Sequence, residues 1–270
     1  MKFTELKPSP HLHPWISRYW SWQDEIQLPP LLPGSGAELF FFWRQKIKIS
    51  DKKQSFSSHQ RSVILLPRNN HFHFHSEVPV SFIAVRFRVS ALRHFCPQNE
   101  VEMADTFLHP ADIWGKSILQ LEDQLSETQN LTGQVKIIEN FLTEKLNRYH
   151  RDNHPWLDAA AKMMYYEHKT ASQQDFVALS GFGRRYFQQV FRQHFGITPC
   201  HLHRIIRLEQ LTRHLLLNCQ RDYLDSALDY GYYDQSHFIK DFRHFIGTTP
   251  SVFFLEHNFC SHFYNPPIVP

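Results

Sequence analysis

Between residues 184 and 250 the apolar positions recur at helical spacing, and they do so twice. Phe187, Val190, Phe191 and Phe195 form one stripe, with Arg184, Arg185, Gln188, Gln189 and Arg192 on the opposite face. Phe238, Phe242 and Phe245 form a second, with Gln235, Ser236, Ile239, Lys240 and Arg243 turned outward. Both stripes sit in the same string, F-x3-F-R-x3-G-x-T-P, at 187–199 and again at 238–250. Six identities at one offset imply a single supersecondary unit used twice.

Start and stop signals frame each copy. Gly196 and Gly247 stand where a helix ends in a left-handed residue, and Thr198-Pro199 and Thr249-Pro250 open new helices with a cap followed by proline. Upstream, Ser172 with Asp175 forms a capping box for a helix through Leu179, and Ser180-Gly181-Phe182-Gly183 turns the chain into the Arg184 helix. In the second copy Asp222 is expected to cap a helix through Asp229, and Asp234 to cap the Gln235 helix. Helix, short glycine turn and second helix with a polar outer face predict two helix-turn-helix units, joined by one long helix from Pro199 to about Leu217.

The first half carries the other period. Runs rich in β-branched and aromatic residues at 38–43, 46–50, 62–66, 71–75 and 80–88 are separated by Pro, Gly, Asn and Asp, which predicts a β-sandwich or barrel. Helical spacing then returns at Ile118, Leu121 and Leu125, and at Val135, Ile138, Phe141, Leu142 and Leu146. Residues 147–155 are polar and end in proline, as a linker would. The expected division is 1–150, 151–257 and a loosely held tail, 258–270.

Charge changes the picture only locally. A net charge of +3 over 270 residues does not reveal a polyanion binder. Residues 184–213, however, hold six arginines (184, 185, 192, 204, 207, 213) against Glu209 alone, a phosphate-binding footprint. From 221 to 245, Arg221, Lys240 and Arg243 face five aspartates, so the second unit should add less sequence-independent affinity. No leader-like or membrane-spanning apolar run is present, and Cys96, Cys200, Cys219 and Cys260 lack metal-type spacing. A reduced, cytoplasmic chain is therefore expected.

At residues of about 155 to 257 the chain resembles the DNA-binding domain of the AraC/XylS family of bacterial transcription regulators. The string GYYDQSHFIKDFRHFIGTTP at 231–250 is nearly the family's signature. Gly183 stands where the family usually has serine or threonine, implying a weaker cap by about 1 kcal/mol. The resemblance implies double-stranded DNA as partner, with RNA polymerase a further candidate. Helix geometry nominates Arg185, Gln188 and Gln189 as base readers of the first unit, with Arg184 beside them and Arg192 on phosphate. Gln235, Ser236, His237 and Lys240 are their counterparts in the second, with Arg243 near the backbone. Residues 10–145 resemble the N-terminal domain of one branch of such regulators, through PWISRYWSW at 14–22, LPG at 32–34, VRFR at 85–88 and IWG at 113–115. Such domains sense a small molecule or form a dimer, often on a cupin-like barrel. The proline-glycine that usually follows the Arg-Phe-Arg strand is replaced by Val89-Ser90-Ala91.

Four further features bear on function. His71, His73 and His75 alternate with Phe72 and Phe74, so on a strand they share a face, continued by Glu77. Such a row suits a transition metal, whereas histidines on the solvent face with phenylalanines filling the core is the plainer reading. An aromatic set with Trp15, Tyr19, Trp20, Trp22, Phe40, Phe41, Phe42 and Trp43 either lines an effector cavity or packs the core. Glu38 and Arg86 are candidate contacts for a polar effector. The 131–148 helix offers either a homodimer seam or a face for its own barrel. The overall expectation is an α+β chain, a cupin-like β-domain with trailing helices followed by an all-α domain of two helix-turn-helix units. Its expected role is sequence-specific transcription regulation without a cofactor. A metal-dependent cupin enzyme or metal sensor with an accessory DNA-binding domain is the alternative, disfavoured because no nucleophile-base-acid set or phosphate loop appears.

Overall fold

The computed structural model describes residues 2–25, 30–42, 47–50, 55–58, 61–97, 107–150, 153–218 and 223–255. Trp43, Cys219, Cys260, Arg221, Asp222 and the 258–270 tail lie outside these.

Among the described residues nine strands build two antiparallel sheets. The larger has the order β1 (Lys2–Leu6), β2 (Ile16–Glu25), β8 (Val80–Phe87), β3 (Glu38–Phe42), β6 (Ser62–Leu65), β9 (Phe107–Leu108). The smaller has β5 (Ser55–Ser58), β4 (Ile47–Ser50), β7 (His73–His75). Four strands went unforeseen: β1, β2, β5 and β9. The aromatic run of β2 was visible in sequence, but Ile16 to Trp22 is buried throughout, so no in–out alternation marked it. The hydrophobic runs at 38–42, 62–65 and 80–87 formed strands as expected, whereas His71 precedes β7 rather than belonging to it.

The large sheet is covered on both faces, which explains its continuous apolar strands. Trp20, Trp22, Phe40, Phe42, Val63, Leu65 and Phe82 meet Ile47, Ile49 and Phe74 of the small sheet. Tyr19, Leu39, Phe41, Ile64, Ile83 and Val85 meet three helices, α1 (Pro110–Trp114), α2 (Lys116–Glu127) and α3 (Leu131–Tyr149). The result is a sandwich with a helical backing. Val135, Ile138 and Leu142 are buried in that backing and Leu146 packs on it, so the seam offered for a homodimer is used within the chain. Because α3 runs to Tyr149 and the next helix opens at Pro155, the connection is shorter than the expected 147–155.

Among the described residues seven helices follow: α4 (Pro155–Tyr166), α5 (Gln173–Ser180), α6 (Arg184–Phe195), α7 (Pro199–Leu217), α8 (Leu224–Asp229), α9 (Gln235–Ile246) and α10 (Pro250–Phe253). One apolar core joins them, centred on Leu202, Ile205, Ile206, Leu211 and Leu215 of α7 with the phenylalanines of both repeats. The caps are those the sequence proposed: a reciprocal Ser172–Asp175 box, Thr198 and Thr249 before proline, and Asp234 accepting from the His237 amide at 2.7 Å. Gly196 and Gly247 close α6 and α9 with φ of 69° and 84°, the left-handed region glycine tolerates. Helix α8 differs, since Tyr223 occupies its N-cap without a side-chain bond.

Candidate nucleic-acid interface

Each repeat is a helix-turn-helix. In the first, α5 ends at left-handed Gly181 and the chain re-enters a helix at Arg184. Gly183 holds an extended cap conformation with no side-chain bond to α6, as expected from its residue type. In the second, α8 passes through left-handed Gly231 into the Asp234-capped α9.

Burial separates the two faces of α6 and α9 cleanly. Phe187, Val190, Phe191 and Phe195 are buried, as are Phe238, Phe242 and Phe245. Arg184, Arg185, Gln189 and Arg192 are exposed and Gln188 half-buried; Gln235, Ser236, Lys240 and Arg243 are exposed. Ile239, expected outside, is half-buried and packs on the core. His237 is partly held back, its ring 5.3 Å from that of Tyr232 and its Nε2 4.0 Å from buried Asp241.

The expected footprint of six arginines contracts to three. Arg204 donates to Asp241 at 2.7 Å, and that bond, outweighing its partial burial, raises the guanidinium's pKa. Arg207 donates to the Gly231 carbonyl at 2.8 Å and lies 4.3 Å from the Tyr232 ring centroid. Arg213 is buried. Arg204 and Arg207 tie α7 to the second unit and Arg213 is withdrawn from solvent, which leaves Arg184, Arg185 and Arg192 for a polyanion. The physical reason is Asp241: a buried carboxylate needs paired cations, and α7 supplies them.

Sequence reasoning missed an aromatic rim. Tyr233 is 88% exposed, Phe182 51% and Tyr186 42%, with Phe182 and Tyr186 rings 4.7 Å apart. Phe182 and Tyr233 occupy equivalent turn positions, the same offset that relates the phenylalanine stripes, and that repeat was the signal available.

Glu38 and Arg86, by contrast, are far more than ordinary strand charges. Arg18, Arg86 and Glu38 stand in register across β2, β8 and β3. Arg86 pairs with Glu38 and also with Glu209 of α7, bridging sandwich and helical domain. Glu209 further accepts from the Ser35 amide and hydroxyl at 2.8 and 2.6 Å. Burial alone would raise the Glu38 carboxyl, but Arg86, Arg68 and Arg18 bring it below its ordinary value. On the sandwich side the backbone is closely packed, since a Cβ on Gly36 would stand 2.5 Å from the Phe87 carbonyl oxygen. Trp20, Trp22 and Phe42, named as effector contacts, are buried in the layer between the sheets, Trp20 edge-on to Phe40 and Phe82.

His73 and His75 share the exposed side of β7 while Phe72 and Phe74 point inward. His75 Nε2 lies 2.9 Å from Ser50 Oγ. Among the described residues no three His, Cys, Asp or Glu side chains gather as a metal set, and no helix is long and apolar enough to cross a membrane.

Comparison with known proteins agrees with this geometry. A family model described as a helix-turn-helix domain matches residues 176–255, and one described as a domain of unknown function, DUF6597, matches residues 4–109. The class is thereby defined, a DNA-binding helix-turn-helix regulator with an antiparallel β-domain ahead of it. The match over residues 176–255 agrees with the resemblance of the duplicated signature to the AraC/XylS family. The chain's fold is similar to that of ToxT from Vibrio cholerae, with a TM-score of 0.51 at 12% identity over 94% of this chain and 98% of that one. It is also similar to ToxT from Vibrio cholerae O395 bound to (E)-4-(8-methylnaphthalen-1-yl)but-3-enoic acid, with a TM-score of 0.50 at 11% identity and the same coverages. A comparison with curated protein sequences found no match.

Proposed function

We propose that this regulator reads one face of a promoter with α6 and α9 together, and that its sandwich sets how they are presented. The observation that carries this reading is the paired construction of the two helices: equivalent buried stripes, equivalent stops and equivalent polar faces on either side of α7. That helix has 19 residues and so spans about 28 Å, close to the rise of one DNA turn at about 34 Å. Arg185, Gln188 and Gln189 meet base edges in one major-groove segment, flanked by Arg184 and Arg192 near phosphate. Gln235, Ser236, His237 and Lys240 meet the next, with Arg243 near its backbone.

Control passes through the seam. Arg86 sits on a sandwich strand and pairs with a carboxylate on the very helix that spaces the two reading heads, so a molecule that shifts the sheet's end shifts α7. A small-molecule effector acting on the N-terminal domain is consistent with the ToxT structure that holds an organic acid.

The test starts from duplexes that the parent protein selects out of a random pool. Arg185→Ala and Gln235→Ala should each lose about ten- to a hundredfold in affinity for those duplexes, and the double variant should lose sequence preference. A double variant that selects the same sequences as the parent overturns the assignment.

A further inference from the structure

We infer that the N-terminal domain binds an uncharged aromatic molecule with an amide-like edge, of the lactam or nucleobase kind, in a cavity between the large sheet and the α2–α3 turn. The inference rests on the reading that this domain takes a small-molecule effector, and it gives that effector a place remote from the seam.

The cavity exists because the sheet changes character along its strands. On the side that faces the helices, Tyr19, Leu39, Ile83 and Val85 are bulky and buried. Farther along, the same parity brings Gln23 on β2 and Ser81 on β8, with Ser62 opposite Phe41. A close-packed interior would need bulk at these positions. Short and polar side chains leave a space of about 510 Å³ instead, within the range of about 300–1,000 Å³ that encloses drug-sized molecules. Phe41 and Phe42 of β3 stand on its sheet wall, and Leu125 of α2 and Leu131 of α3 stand opposite.

The lining decides the charge of the ligand. Arg61 and Glu122 both border the cavity, but they are spent on each other and on their neighbours. Arg61 Nε stands 3.4 Å from Glu122 and its Nη2 2.7 Å from Asp123, while Ser62 donates to the same Glu122 carboxylate. An incoming carboxylate would meet two acids and one guanidinium already engaged, and an incoming ammonium would compete with Arg61 for committed oxygens. What remains is amide. Gln23 and Gln129 line the cavity and make no side-chain hydrogen bond among the described residues. Gln134 gives its Nε2 to the Thr128 carbonyl at 2.7 Å, and its Oε1 has no partner among the described residues. A side-chain amide offers donor and acceptor side by side, the pattern that a carboxamide or nucleobase edge completes. The ligand's ring lies against Phe41, Leu125 and Leu131. Strands β2, β3 and β8 wall the cavity at one end and carry Arg18, Glu38 and Arg86 at the other. About 14 Å of β3, from Phe42 to Glu38, therefore joins the ligand to the seam.

The experiment soaks crystals of the full chain in 4-iodobenzamide and, separately, in 4-iodobenzoate, two probes of one shape and different charge. The amide should give an anomalous iodine peak in the cavity between Phe41 and Leu131, and the benzoate none. In solution the amide should raise the melting temperature saturably. Gln23→Leu should weaken its binding about five- to tenfold, the effect of losing one neutral hydrogen bond. Leu131→Trp, which fills the cavity, should abolish the shift. Parent crystals without the amide peak in the cavity overturn the inference, as does equal occupancy by the benzoate, and these crystals decide even if a variant does not fold. Bound amide that leaves DNA affinity unchanged upholds the site and counts only against control of DNA binding by the sandwich.

Discussion

Removing Glu209 should cost this protein more than any substitution on its DNA-facing surface. The carboxylate is 4% exposed and is the acceptor for three donors from the sandwich: the Ser35 amide at 2.8 Å, the Ser35 hydroxyl at 2.6 Å and Arg86. Glu209→Ala leaves a buried main-chain N–H without an acceptor, about 1–3 kcal/mol by itself. It also takes from Arg86 one of its two carboxylate partners. Breaking a buried pair on one side typically costs about 3–5 kcal/mol, and these contributions overlap, so about 4 kcal/mol is expected in all. Glu209→Gln keeps an acceptor for Ser35 but loses the charge, and should fall near half that value. Ser35→Ala, which removes only the hydroxyl, should cost about 1 kcal/mol. Urea unfolding of the full chain, followed in parallel by tryptophan fluorescence and circular dichroism, measures all three. If Glu209→Ala loses less than about 1 kcal/mol, the seam is not the tight junction described above.

Two further outcomes follow from charge placement. Arg192→Ala should lower the slope of log affinity against log salt by about 0.9, and Arg243→Ala by less, because exposed Asp225, Asp229 and Asp234 surround the second unit; equal slopes in a salt titration would refute this. Asp158 joins α4 to the sandwich: burial would raise its carboxyl, but hydrogen bonds from His94, Arg93 and Ser90 outweigh that and hold it well below its ordinary 3.8. A depressed carboxylate contributes stability above its unfolded value and loses it as pH falls below about 4, so Asp158→Asn should flatten the acid limb of a stability-versus-pH curve. An unchanged acid limb would count against the bond network.

Local rules were enough for the helical half. Every stop glycine and most caps were legible because they depend on a residue's own backbone freedom or on a side chain reaching three residues ahead. Asp222 as the cap of α8 lies outside the described residues, and Tyr223 shows no capping bond there. The polar outer faces of α6 and α9 were legible for a similar reason, since helical periodicity assigns faces without knowledge of any partner. The fate of Arg204 and Arg207 was not legible, because their partners Asp241 and Gly231 are brought near only by packing, and the burial of Arg213 likewise depends on what packs against it.

The seam shows the same limit from the other side. Arg18-x-Trp20-x-Trp22, Glu38-x-Phe40-x-Phe42 and Phe82-x-Ala84-x-Arg86 share one parity, so each strand could have been read as an apolar face ending in a charge. That the three charges line up depends on strand order and register across β2, β8 and β3, which are long-range pairings. The sequence by itself determined the duplicated helix-turn-helix unit, most of its caps and its two-faced helices, because those follow from spacing and residue type within a few turns. Tertiary structure alone decided which charges face water and which are locked inside, since desolvation and ion pairing depend on what is packed nearby rather than on what is adjacent in the chain.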